Sequence, residues 1–190
     1  MAKKYVEGLT FSQINFTETP LELGEYENCT FQQCMFGGQD LSHFIFADCV
    51  FDESDLSNCK VTNTTLRDVS FDNCKLLGLR FEDCNTFLLS MNFSHCVLNF
   101  SSFYKLKLKS AHFHHCSLHE VDFTEVELND SDFQHADLTG AVFSRSNLTG
   151  VDFRGASNIV LDPEENKLQK AKFNRDNVFG LLTKYGIKIE

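Results

Sequence analysis

Residues 131–153 read SDFQHADLTGAVFSRSNLTGVDF, a stretch in which Phe or Leu recurs at every fifth position. A period of five matches neither an α-helix, which repeats every 3.6 residues, nor a β-strand, which repeats every two. It matches a chain that turns a corner after every five residues, with the Phe or Leu at the centre of each side pointing inward. Four such sides form a square coil of about 20 residues, and repeated coils stack into a solenoid.

The period extends through most of the chain in two frames. Every fifth residue from Phe11 to Phe81 is apolar, and from Leu88 to Phe153 Leu and Phe alternate without exception. The frames differ by two residues, which predicts a two-residue insertion within residues 82–87. One side then carries a column of Phe residues 20 apart, with one step of 22 at the insertion. Its members are Phe11, Phe31, Phe51, Phe71, Phe93, Phe113, Phe133, Phe153 and Phe173. The predicted fold is all-β, a right-handed quadrilateral β-helix of about nine coils.

The residue two positions before each centre is small in most repeats. All eight cysteines occupy this inward position. For Cys84 this holds if the first frame runs up to the insertion. Because a free cysteine behaves as a small buried hydrophobe, we interpret these residues as core filling, with a redox role as the alternative. No CxxC pair has partners at zinc-site spacing.

This pattern resembles the pentapeptide repeat family, whose consensus is A(D/N)LXX. The nearest matches are residues 137–141, 147–151 and 151–155, and the resemblance covers about residues 6–156. The tail looks like the C-terminal cap of bacterial members, among them the Qnr-like and mycobacterial fluoroquinolone-resistance types. The resemblance implies a homodimer joined through C-terminal modules, and an elongated acidic surface that mimics DNA. It also implies binding to a bacterial type II topoisomerase, DNA gyrase or topoisomerase IV.

One departure from the family concerns loops. Qnr-like members carry long loops that are implicated in gyrase protection, whereas the internal insertion here has two residues. The chain is more similar to the loopless mycobacterial type. That keeps topoisomerase binding as the implied activity and weakens the case for quinolone resistance. The alternative function is a structural or scaffolding protein with an unidentified protein partner.

The repeat pattern sets the predicted domain boundaries. We predict a β-helix over residues 1–173, with an irregular final coil at 157–172, and a C-terminal helix and tail over 174–190. Asp176 is the predicted N-cap of this helix and Gly186 its stop.

The C-terminal helix carries a broad apolar stripe, formed by Val178, Phe179, Leu181, Leu182 and Tyr185. The stripe is wider than capping the solenoid needs. We therefore predict a two-fold homodimer. The predicted contact residues are Val178, Phe179, Leu182 and Tyr185.

Charge and outward position indicate two candidate partner-binding features. The net charge of −10 argues against direct nucleic-acid binding, because phosphate contacts need Lys and Arg. Acidic residues that recur at 20 predict a patch formed by Asp48, Asp52, Glu53, Asp68 and Asp72. Phe100 and Tyr104 fall in outward positions and form a candidate aromatic anchor, although burial by a neighbouring corner is equally consistent with the count.

Several histidines and lysines fall in outward positions. A ladder of His95, His115 and His135 would offer imidazoles to zinc or nickel, but the same column holds Gln13, Gln33, Glu53 and Asn73, so we interpret it as a polar column. A second set, His112, His114 and His119, is predicted to be exposed and shows no catalytic triad. The lysines Lys105, Lys107 and Lys109 are interpreted as a solvated face. A coil filled with stacked Phe offers no pocket, so the sequence predicts no catalytic residue, no cofactor, no metal and no enzymatic activity.

The N-terminal residues MAKKYVEGL contain no long apolar run, and no segment approaches the ~18 apolar residues of a membrane span. We therefore expect a cytoplasmic protein with reduced cysteines and no membrane association.

Overall fold

The structure, a computed structural model, describes residues 4–187. Residues 1–3 and 188–190, which belong to the two predicted segments, lie outside the described residues. The strands are β1 (Lys4–Glu7), β2 (Thr10–Ser12), β3 (Gly24–Glu27), β4 (Thr30–Gln32), β5 (Ile45–Ala47), β6 (Val50–Asp52), β7 (Thr65–Arg67), β8 (Val69–Asp72), β9 (Met91–Ser94) and β10 (Phe113–His114). Two 3₁₀ helices complete the set, η1 (Phe81–Asp83) and η2 (Val178–Tyr185).

The strands form two parallel sheets, ordered β1-β3-β5-β7 and β10-β9-β8-β6-β4-β2. Each strand pairs with the strand one coil later, so that Phe11 lies opposite Phe31, and Phe31 opposite Phe51. Isolated parallel bridges such as Asp132 with Asp152 continue this pairing towards the C-terminus. The predicted all-β coil is therefore confirmed.

The Phe column fills the coil as predicted. All nine rings stack, with centroids 4.7–5.3 Å apart. Eight such steps make a column about 40 Å long, at the hydrogen-bonded spacing of the strands. On the opposite side a second column packs edge-on against the first; Phe103 and Phe113 lie 5.6 Å apart at 87°.

The small inward residues also donate hydrogen bonds. The hydroxyl of Ser54 donates to the carbonyl of Phe31 at 3.0 Å, and that of Thr64 to Leu41 at 2.7 Å. The Cys74 thiol makes the equivalent contact with Phe51 at 3.3 Å. This explains why Cys, Ser and Thr share the position. All eight cysteines are free and buried, and burial raises the pKa of the Cys59 thiol to about 12, which keeps it protonated.

The residue two positions after each centre forms the corner of the coil and adopts a left-handed backbone conformation. Examples are Asn28 (φ 52°), Asp48 (φ 52°) and His115 (φ 54°). Asn, Asp and His enter this region more readily than bulky apolar residues do. The backbone therefore favours polar side chains at the corners, which point to solvent.

The insertion lies between residues 85 and 91. Thr65 pairs with Asn85, 20 residues later, whereas Val69 pairs with Met91, 22 residues later. The prediction that Leu88 is an inward centre is wrong. The first frame continues through the insertion, so Leu88 occupies a left-handed corner (φ 56°) and is 57% exposed.

The C-terminal helix η2 begins at Val178, and its N-terminal cap lies one residue later than predicted. The N-cap is Asn177, so the assignment of Asp176 is wrong. The buried Asn177 amide instead donates to the carbonyls of Phe153 (2.6 Å) and Ala156 (3.1 Å), which satisfies backbone acceptors at the end of the coil. Gly186, with φ 61°, ends η2 as predicted. Within residues 4–187, the structure contains no helix with the length and apolar character needed to cross a membrane.

Candidate interaction surface

The acidic face, defined by Asp48, Asp52, Glu53, Asp68 and Asp72, spans two successive coils. Asp52 on β6 lies directly opposite Asp72 on β8. Asp48 and Asp68 occupy the corner that precedes these strands, again one coil apart, and Glu53 occupies the corner after β6. Asp48, Glu53 and Asp68 are exposed, whereas Asp52 and Asp72 are half-buried.

Little positive charge reaches the acidic face. The Arg67 guanidinium lies 3.9 Å from the Asp48 carboxylate and 3.8 Å from that of Glu27. Among residues 4–187, the other four carboxylates make no ion pair. Burial, with a contribution from the neighbouring Asp52 charge, raises the pKa of Asp72. Like charges opposite each other in a sheet are unfavourable, and a cationic partner would relieve that repulsion.

Some acids elsewhere are paired with cations across coils. Glu125 contacts Lys105 at 3.5 Å and Arg145 at 2.9 Å, and Lys107 contacts Glu127 at 3.4 Å. The lysine cluster is therefore largely paired rather than simply solvated. These ion pairs neutralise acids that lie outside the acidic face.

The two candidate aromatic residues do not lie on the acidic face. Phe100 is 62% exposed, at a left-handed corner (φ 61°) that is costly for a bulky side chain. Tyr104 is half-buried, and the Lys105 ammonium lies 4.7 Å from the centre of its ring. Tyr104 follows Phe103, whose side lies opposite the Phe113 side of the coil. The aromatic pair and the acidic face are therefore separate surfaces.

The exposed face of η2 contains all four predicted dimer residues. Val178, Phe179, Leu182 and Tyr185 are 36–55% exposed, and none of the residues of η2 is fully buried. Leu181 instead packs against the core. Val142 and Val160, each at least half exposed, line a depression beside η2 and extend the apolar surface.

Ion pairs and a close backbone approach also hold η2 against the coil. The Lys184 ammonium contacts the carboxylates of Asp162 at 2.6 Å and Glu164 at 2.8 Å. Gly180 lies so close to the carbonyl oxygen of Ile159 that a Cβ there would overlap it. Gly180 and Asn177 could not be identified from the sequence, because neither has a role that the five-residue period reveals.

The predicted histidine ladder is present. The rings of His95, His115 and His135 stack with centroid distances of 4.7 Å. Burial, followed by the charges of His135 and His95, lowers the pKa of His115. The rings lie nearly parallel, so the ladder behaves as a stack of polar side chains.

The second histidine set differs from its prediction, because His114 and His119 are half-buried and each faces an aspartate. His119 Nε2 lies 2.8 Å from Asp137 Oδ2, and His114 Nε2 lies 3.1 Å from Asp132 Oδ2. The exposed His112 joins the second pair, so that ligand atoms of His112, His114 and Asp132 all lie within 4.8 Å of one another. The sequence signal for this cluster is the 20-residue spacing between His112 and Asp132, which places the two residues opposite each other in neighbouring coils.

Comparisons with known proteins agree with this architecture. A family model described as a pentapeptide repeat region matches residues 24–103, 85–153 and 106–180. The fold is similar to two solved structures of trypsin-treated variants of QnrB1, described as a plasmid-mediated fluoroquinolone resistance protein. The first variant superposes with a TM-score of 0.76 at 18% identity, over 98% of this chain and 92% of the other. The second gives a TM-score of 0.64 at 20% identity, over 98% and 97%. A search of curated proteins gave no match.

Proposed function

We propose that this chain, which belongs to the pentapeptide repeat family, binds a bacterial type II topoisomerase, DNA gyrase or topoisomerase IV, in place of DNA. The observation that carries the proposal is the acidic face on a narrow solenoid, defined above by Asp48, Asp52, Glu53, Asp68 and Asp72. The resemblance to the Qnr-like and mycobacterial fluoroquinolone-resistance types, which implies binding to these enzymes, also supports the proposal.

The charge density of the rod supports mimicry only on part of its surface. DNA carries one phosphate charge per ~1.7 Å, or about 24 over the ~40 Å of the Phe column. The net charge of the chain is −10, less than half of that value. A DNA-like potential therefore requires the unpaired acids to lie together on one side of the rod. The ion pairs of Glu125 and Glu127 are compatible with this, because they neutralise acids outside the acidic face.

The proposal is tested by titrating purified protein into a gyrase supercoiling assay. We expect inhibition that weakens as salt rises, because exposed charges are screened beyond ~8–10 Å at physiological ionic strength. Changing Asp48, Asp52, Asp68 and Asp72 together to Asn should weaken inhibition while the coil stays folded. A matched control changes four exposed glutamates elsewhere to Gln, with the same change in net charge: Glu7, Glu18, Glu120 and Glu165. The control should retain most of the inhibition.

Two outcomes contradict parts of the proposal. If the protein has no effect on supercoiling in large excess at low salt, topoisomerase binding is wrong, and a scaffold for another partner is the remaining function. If the four-Asn variant inhibits as strongly as the control, the acidic face is not the contact surface, and Phe100 and Tyr104 become the next residues to change. Adding a fluoroquinolone to the same assay tests protection against the drug.

The apolar face of η2 supports a second element of the proposal, a homodimer. An exposed face of Val178, Phe179, Leu182 and Tyr185 is costly in a monomer and suits a two-fold contact with a second copy. Phe179→Glu with Leu182→Glu should give monomers in sedimentation, with the coil still folded. Phe87→Glu with Leu88→Glu, two exposed apolar residues at the insertion, is the matched control. A double Phe179/Leu182 variant that stays dimeric would place the interface elsewhere.

A further inference from the structure

We propose that His112, His114 and Asp132 form a binding site for a divalent transition-metal ion of the zinc class, on the side of the coil centred on Phe113. Imidazole and carboxylate together suit such ions. The site lies on the same side of the coil as Asp72 of the acidic face, two coils further along, and Asp72 lines the same depression as His112 and His114.

The backbone places the three ligands together. His112 and His114 flank the inward Phe113, so both side chains leave the strand on the same outer face. Asp132 lies directly opposite His112 in the next coil, at the spacing of neighbouring strands. Two ligands therefore come from one coil and the third from the next coil.

The distances match metal coordination. Zinc binds imidazole nitrogen and carboxylate oxygen at about 2.0–2.2 Å, so two ligand atoms of a tetrahedral site lie about 3.3 Å apart. His114 Nε2 and Asp132 Oδ2 are 3.1 Å apart. The His112 and His114 rings are 5.1 Å apart at 52°, and His112 is exposed, so a small rotation of its ring closes the triangle.

Neighbouring groups hold the ligands in place. The backbone N–H of Gln134 donates to Asp132 Oδ1 at 2.9 Å, and the Gln134 side-chain amide donates to Oδ2 at 3.2 Å. Such contacts around a metal ligand fix its orientation. The Nε2 atom of His114 is buried and makes no hydrogen bond within residues 4–187, despite its closeness to Asp132. That nitrogen is available to a metal ion.

A simple His–Asp ion pair is the plain alternative. His119 and Asp137 form such a pair at 2.8 Å, and Asp137 also accepts a hydrogen bond from Asn158 at 2.8 Å. What distinguishes the proposed site is the second imidazole, His112, beside the pair. His119 is therefore the natural control residue.

The test is a zinc titration of untagged protein by calorimetry, repeated with Co²⁺ to record its visible absorption. We expect one metal ion per chain, with binding weakened at least ~10-fold in each of His112→Ala, His114→Ala and Asp132→Asn. His119→Ala and His115→Ala, which removes the centre of the histidine ladder, should bind as the original protein does. All five side chains lie on the outside of the coil, and circular dichroism checks the fold.

Three results would overturn the proposal. The first is no binding by the original protein at about millimolar zinc. The second is a loss in His115→Ala as large as in His112→Ala, which would assign the ion to the ladder. The third is zinc binding that is unchanged in both single variants, Asp132→Asn and His112→Ala.

Discussion

Replacing Phe113 with Ala tests the Phe column at a fully buried position in the middle of the coil stack. The ring is fully buried and has four aromatic neighbours. It stacks on Phe93 at 5.1 Å and Phe133 at 4.8 Å, and it meets Phe103 and Phe123 edge-on at 5.6 and 5.7 Å. Because the rings above and below are held by their own coils, the cavity cannot collapse easily.

The expected cost follows from that packing. A buried Phe→Ala change typically costs ~3–5 kcal/mol, and each aromatic pair adds ~0.5–1.5 kcal/mol beyond area burial. Four lost pairs put Phe113→Ala at the upper end, about 5 kcal/mol. Phe113→Leu keeps most of the volume and should cost about 1–2 kcal/mol. Phe100→Ala, at a position that is 62% exposed, should cost less than about 0.5 kcal/mol.

The assay is urea unfolding followed by circular dichroism, with the free energy and the m-value compared between variants. A solenoid is stabilised coil by coil, so a lower m-value in Phe113→Ala would show that unfolding has split at that coil. A loss below about 1 kcal/mol with an unchanged m-value would refute the assignment of Phe113 as a central support of the fold.

Two further predictions concern the C-terminal coils. A hydrogen bond from Arg154 is the largest cause that lowers the pKa of the Asp152 carboxyl to about 2, from an ordinary value of 3.8. Asp152→Asn should therefore lose about 2 kcal/mol of unfolding free energy above about pH 4, and the difference should vanish as pH falls through about 2 in acid unfolding curves. Equal losses at both pH values would contradict this. Gly180→Ala should push η2 off the coil and expose its lysine to trypsin, whereas Gly37→Ala, where a Cβ meets only ordinary contacts, should not; equal cleavage rates would show that the close approach to Ile159 is not required.

The sequence by itself determined the coil. A five-residue period leaves one arrangement in which Phe31 and Phe51 both avoid water, and the 20-residue spacing then fixes which side chains stack. The column of Phe and the histidine ladder follow from counting alone, because each coil repeats the geometry of the previous one. The same counting identified the exposed residues of η2, where the period ends and the apolar stripe has no coil to fill.

The tertiary structure alone decided the features that lie where the repeat is interrupted or where separate parts of the chain pack against each other. Leu88 is exposed because the two extra residues are inserted after Asn85. The apolar pattern of the sequence shows that the frame shifts by two residues, but not at which residue the backbone accommodates them. Asn177 stands at the N-cap of η2, but its side-chain amide donates to the carbonyls of Phe153 and Ala156, which come within its reach only when the last coil is built. The pairing of His114 with Asp132 depends on how the two side chains are oriented across neighbouring coils. That orientation is set by the distances between strands and not by the order of residues in the sequence.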